Sequence, residues 1–184
     1  MKGKIIQNSI REKIIEVEEK NNIELSTVQK ILCATESPIV TILDVLYGDV
    51  NLFILDQHIE KANEEIAEKL QINEGEEIDY REAIISKYGR PLSYALSLIP
   101  KERCSDEIIE KLLKEDKTTG KIILEHEIEK VNIVDEIYLE KPDDTLQSLF
   151  HTSEGFLARE SVLIHNKHIV LWCKECYPIS HFKE

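Results

Sequence analysis

Three ionisable side chains of this 184-residue chain fall on strand-like stretches where alternation would leave apolar surface: Arg81, Arg159 and Glu175. In REAIISKYGRPLSYALSLIP, residues 81–100, counting by two from Arg81 gives Ala83 and Ile85. The guanidinium therefore shares a small or apolar face, while Ile78, Tyr80, Glu82 and Ile84 take the other. The following run offers Leu92, Tyr94, Leu96 and Leu98 on one face and Ser93, Ala95, Ser97 and Ile99 on the other. Small and hydroxyl side chains on a sheet leave room above it for something other than protein. An arginine beside such a floor suits a carboxylate-bearing ligand, because its fork of donors matches two oxygens. Near the end of the chain, Ile169, Leu171, Cys173, Glu175 and Tyr177 share a face. A carboxyl on an inward face is desolvated, which favours its neutral form and suits it to carry a proton or a hydrogen bond. Arg159 shares its face with Leu157, Ser161 and Leu163. Alternation alone leaves a second reading open, in which Arg81 and Glu175 are a structural ion pair or reach solvent at strand ends.

The other reactive residues support less. Cys173 and Cys176 form a CxxC, but residues three apart on a strand point to opposite faces, and no second CxxC or paired histidine stands at metal spacing. No metal site is expected. His165 and His168 flank a turn, and the acidic runs near 60–80 and 102–116 read as solvated faces. The net charge of −13 argues against nucleic acid as the main partner. No apolar run reaches the ~20 residues a membrane helix requires. The start turns charged too early for a secretory leader. A cytoplasmic protein that acts on a small molecule is the expectation; the sequence does not give an oligomeric state.

The elements that must position these residues follow from capping and turn signals. SIREKIIEVEEK, residues 9–20, reads as an amphipathic helix, and Ser26 caps a second over TVQKILCA. IVTILDVLYG is a third helix that Gly48 ends. DVNLFILDQ is a strand, and the first half of KANEEIAEKLQINEGEE is helical. KYGR links two strands in a hairpin, Ser105 caps DEIIEKLLKE, and TTG breaks that helix. KIILEHEIEKVNIVDEIYLE ends as a strand, LQSLF makes one helical turn, and the last section is two strands around His-Asn-Lys. Tight hairpins with segregated helices predict an α+β fold. One domain over 1–184 is expected, with 1–25 as an N-terminal helical segment.

In order along the chain, ILCATESPIVTILDVLYGD, REAII…YGRPLSYALSLIP, TTGKII, GFLARESVL and KECYP resemble the chorismate pyruvate-lyase family, most closely its archaeal and actinobacterial branch. The pieces span roughly residues 28–178. The resemblance implies an antiparallel sheet whose helical flaps enclose a ligand, a fold shared with the effector-binding modules of GntR-type regulators. It implies conversion of chorismate to 4-hydroxybenzoate and pyruvate without a cofactor, in archaeal members for methanopterin synthesis. It assigns Arg81 to the ring carboxylate, Glu175 to the ring hydroxyl, the backbone of Thr119 and Gly120 to one flap, and Ile39 to the region of the other. Three departures stand out: Leu96 where bacterial members carry a second arginine, and Pro38 and Val40 in the early flap. The alternative is a non-catalytic module that holds an aromatic acid in the same pocket. Only about 25 residues precede the resemblance, so a DNA-binding regulator is not expected.

Overall fold

A computed structural model describes residues 9–114, 122 and 131–183. Two capping boxes open the chain. Ser9 caps α1 (Ile10–Asn21) through Glu12, and Ser26 caps α2 (Thr27–Ala34) through Gln29. Pro38 precedes α3 (Ile39–Tyr47), which stops at Gly48 with φ 75°. The chain continues through β1 (Asn51–Lys61), α4 (Glu64–Leu70), β2 (Glu77–Lys87) and β3 (Arg90–Pro100). A 3-10 turn (Lys101–Arg103) leads to α5 (Asp106–Lys114). β4 (Val131–Glu140), α6 (Asp144–Phe150), β5 (Phe156–His165) and β6 (His168–Pro178) complete it.

The six strands form one antiparallel sheet in the order β1-β2-β3-β6-β5-β4. Two meanders are joined where β3 pairs with β6, so the hairpin strands singled out in the sequence become the centre of the sheet. Tyr88 and Gly89 (φ 50° and 77°) turn one hairpin, and Asn166 and Lys167 (φ 49° and 68°) turn the other. Successive left-handed residues are what a two-residue hairpin turn needs to match the strand twist. The α+β class expected from the hairpins is thus the class observed.

Helices cover both faces of the sheet. On one face, α1, α2 and α3 pack over Ile85, Leu157, Tyr177, Val134 and Ile137. On that same face, α5 and Ile122 pack over the far end at Ile99, Leu163 and Leu171. On the opposite face, α4 covers Ile78, Leu98 and Trp172, and α6 covers Ile84, Ala158 and Cys176. One expectation changes here. Ile169 does not share the Leu171 face; it packs with Trp172 under α4. The register between β5 and β6 shifts at this end, pairing Leu163 with Leu171 but Ile164 with Ile169, and that extra residue flips the alternation.

Candidate active site

Among the described residues, the helical clusters on the first face form two separate groups. Between them run two cross-sheet rows set by the register. One is Gln57–Arg81–Ser97–Cys173–Ser161, and the other is Ala83–Ala95–Glu175–Arg159–Ile137. Arg81 and Glu175 therefore stand on the same face, two strands and two residues apart. At roughly 3.4 Å per residue and 4.8 Å per strand, their backbones are about 12 Å apart. The floor between them is Ala83, Ala95, Ser97 and Cys173. Ala95 and Cys173 lie on the two central strands yet are only half-buried. Arg81 is 2% exposed and Arg159 1%, so two guanidiniums lie inside the protein beside this floor.

Burying a charge is costly unless it is paired and hydrogen-bonded. At one end of the floor, Asp79 (0% exposed) lies two residues from Arg81 on β2 and accepts from Gln57 Nε2 at 3.1 Å on each oxygen. Gln57 Nε2 also donates to Leu112 O of α5 at 3.2 Å. Burial pushes the Asp79 carboxyl above the ordinary carboxylate range, against the Gln57 hydrogen bond and the attraction of Arg81. At the other end, Arg159 Nε donates to Glu175 Oε2 at 2.6 Å. Arg159 Nη1 donates to Leu32 O at 2.8 Å and Thr35 O at 2.7 Å. Burial opposes the Arg159 charge, but the Glu175 carboxylate outweighs it, and the pKa is raised. The sequence left open an ion pair between Arg81 and Glu175; Glu175 instead pairs with Arg159 across adjacent strands.

Thiols and a phenol fill in around the pair. Ser97 Oγ donates to Cys173 Sγ at 3.7 Å, and Cys33 Sγ lies 3.2 Å from Tyr177 Oη. Burial raises the pKa of Cys173, with Glu175 adding repulsion. It raises Cys33 to about 11 for the same first reason. These groups are neutral polar lining at neutral pH rather than nucleophiles. Ser93 Oγ is buried on the Ala95 face with no hydrogen-bond partner among the described residues.

The other residues singled out in the sequence fall as follows. Ile39 opens α3 directly after the 35–38 loop, and its side chain, 1% exposed, belongs to the core under α1–α3. Val40 is buried in that core too. Pro38 stands at the N-cap of α3 with no side-chain cap bond. Thr119 and Gly120 lie outside the described residues. Leu96 pairs with Glu82 and Lys174 on the opposite face of the sheet, so its departure from the family arginine does not border the Arg81–Glu175 floor. Cys173 and Cys176 point to opposite faces, Cys173 against the α5 cluster and Cys176 among the α6 cluster. Among the described residues, no group of three or more His, Cys, Asp or Glu could hold a metal ion, and no helix is long and apolar enough to cross a membrane. A separate surface hollow lined by Glu18, Glu19, Asn22, Ile23, Glu24 and Lys30 contains none of these residues. Arg159 is the residue whose part the sequence did not reveal. Alternation put it on the right face, but its partners lie 16 and more than 120 residues away.

The family profile described as "Chorismate pyruvate-lyase Rv2949c-like" matches residues 34–183. A curated relative from Methanocaldococcus jannaschii, named "Putative lyase MJ0807", is 30% identical over 148 residues, covering 78% of this chain and 73% of its own length. Among solved structures, the effector domain of PhnF from Mycobacterium smegmatis matches with a TM-score of 0.63 at 13% identity, over 78% of this chain and 90% of that one. A GntR-family transcriptional regulator from Bacillus cereus matches with a TM-score of 0.62 at 16% identity, over 73% of this chain and 95% of that one. At such identities these two structures show the fold.

Proposed function

The chain belongs to the Rv2949c-like chorismate pyruvate-lyase family, and from that premise we propose that it converts chorismate to 4-hydroxybenzoate and pyruvate. The observation that carries the reading is the placement of buried Arg81 and buried Glu175 on one face, separated by the small floor of Ala83, Ala95 and Ser97. A ring acid bound there would put its carboxylate against the guanidinium and its hydroxyl toward the carboxylate.

The chemistry asks little beyond positioning. The bond from the ring carbon to the enolpyruvyl oxygen breaks, and its electrons leave with that oxygen. The C–H electrons at the hydroxyl-bearing carbon become ring π electrons, and the proton ends on the pyruvate methyl. Substrate and products balance with no added water, and the aromatic ring supplies the driving force. The protein's contribution is to hold a dianion within a low-dielectric site and to orient the departing proton. Arg81 grips the ring carboxylate. Glu175 meets the ring hydroxyl and fixes the carbon that loses its proton. By the family likeness, the backbone of Thr119 and Gly120 would add donors to the carboxylate, and Ile39 would stand near the second flap. The physiological reading is supply of 4-hydroxybenzoate for methanopterin synthesis in the cytoplasm; the 30% identity to the Methanocaldococcus jannaschii protein named "Putative lyase MJ0807" supports its lyase part.

Purified protein mixed with chorismate, with and without EDTA, and followed by chromatography tests this. Formation of 4-hydroxybenzoate and pyruvate in equal amounts above the spontaneous rate supports the lyase. A second reading, binding of an aromatic acid without turnover, is favoured by the fold shared with regulator effector domains. Saturable thermal stabilisation by 4-hydroxybenzoate without turnover selects it.

A further inference from the structure

We propose that Arg159 is a positioning residue that fastens the loop between α2 and α3 to Glu175, so that seating this loop and aiming the carboxylate are one event. The inference rests on the lyase reading for its catalytic consequence and on the hydrogen bonds alone for its structural part.

The end of α2 leaves carbonyls without helical partners, as every helix end does. Leu32 O and Thr35 O belong to that set, and both accept from Arg159 Nη1, reaching up from the sheet. The same guanidinium gives Nε to Glu175 Oε2. The planar fork fixes the angle between these bonds, so a shift of the loop rotates the donor that Glu175 accepts. The loop is itself stiffened by Thr35, whose Oγ1 accepts from the Ser37 N–H at 3.1 Å. From Ser37 the chain passes through Pro38 into α3, whose Ile39, Val40 and Leu43 are locked in the core. Residues 35–38 are therefore a short strap held at both ends, by Arg159 on one side and by α3 on the other. Glu175 has no second charged tie on the adjoining strand, because its β3 neighbour is Ala95. Around the pair, β6 contributes Cys173 and Tyr177 and α2 contributes Cys33, none of them a cation. Among the described residues, Arg159 is thus the cation that sets where the Glu175 carboxylate lies.

The test uses Arg159→Lys, Glu175→Gln and the double variant, with Arg159→Gln as a further step. Lysine keeps the charge but cannot serve a carboxylate and two carbonyls in one plane. With chorismate, Arg159→Lys should lower kcat at least ~10-fold while KM changes less than ~3-fold, since orientation and not carboxylate grip is lost. The double variant should have the kcat of Glu175→Gln alone, because the lysine change acts only through Glu175. Hydrogen exchange, read without substrate, should quicken at the amides of Thr35, Glu36 and Ser37 in Arg159→Lys and in Arg159→Gln and stay unchanged at the Ile85–Leu157 core. Additive losses of kcat, or loop exchange equal to the parent protein, would overturn the inference. If the parent turns over no chorismate, the lyase reading fails while the exchange result still decides whether Arg159 fastens the loop. If Arg159→Gln does not fold, the lysine variant alone decides.

Discussion

Ala95→Leu separates an open pocket from a packed core, because the two predict opposite signs of stability change. Ala95 sits on central strand β3, paired with Ala83 on one side and Glu175 on the other, and is half-buried. Neighbouring Cβ atoms in such a row stand about 5 Å apart, so a leucine there projects directly above the floor. If the space between the two helical clusters is empty, the added carbons leave water and stabilise the fold by up to about 2.4 kcal/mol, at ~0.8 kcal/mol per buried methylene. If that space is filled by side chains, overpacking costs about 1–3 kcal/mol. Urea unfolding at neutral pH measures the difference with the slope held constant. The second half of the prediction concerns ligand. In the parent, 4-hydroxybenzoate at about 100 times its Kd should add ~2.7 kcal/mol, which for a chain of this size raises Tm by roughly 5–11 °C. In Ala95→Leu that rise should vanish, since the leucine occupies the floor between Arg81 and Glu175. A variant destabilised by 1 kcal/mol or more that still shows the parent's ligand shift would refute both the cavity and the site built on it.

Three further outcomes follow from the same geometry. Arg81→Ala removes the charged donor for the ring carboxylate; a hydrogen bond to a charged group contributes about 1.5–3 kcal/mol, so KM for chorismate should rise roughly 10- to 150-fold in steady-state kinetics. Glu175→Ala strands the Arg159 guanidinium, at 1% exposure, without its carboxylate; breaking a buried pair costs about 3–5 kcal/mol, a Tm loss of roughly 6–20 °C by calorimetry, whereas the double replacement Arg159→Met with Glu175→Met should recover much of it. The last outcome concerns pH: burial first, then Arg90, holds the His181 imidazole below its ordinary 6.5, against a backbone hydrogen bond at Leu92 and the charge of Glu154. The unfolded chain then takes up the proton first as pH falls, so stability drops as pH falls through 6.5 toward the lower pKa of the folded state, and His181→Asn should flatten that part of the Tm profile.

What was legible in the sequence was legible because it is local. The Ser26 cap and the two-residue turns at Tyr88–Gly89 and Asn166–Lys167 are satisfied within a few residues, so composition announces them. Period-two alternation in 81–100 likewise put Arg81 with Ala83 and opposite Leu96's face, and the register keeps that order from β1 to β6. The same rule failed at Ile169, where one extra residue in β6 reverses the faces, and nothing in HIVLWC marks the shift. The antiparallel β3–β6 pairing was hidden for a different reason. It joins two meanders about 80 residues apart, and no turn chemistry specifies which hairpins meet.

Arg159 shows most sharply why a site can be half read. Its strand face was evident, but a guanidinium's role is set by acceptors, and two of its three among the described residues are backbone carbonyls. Backbone groups carry no residue identity, so a loop that is held by them leaves no motif. Arg81 and Glu175 are matched by likeness to a family; the bond that would make Glu175 useful is found only when β5 and the end of α2 are brought together. Conservative exchange is the discriminating perturbation for that reason. Arg159→Lys keeps a cation at this place and gives up the planar fork that serves the carboxylate and two carbonyls together. A loss in turnover at unchanged KM is the measure of what that fork contributes to aiming Glu175.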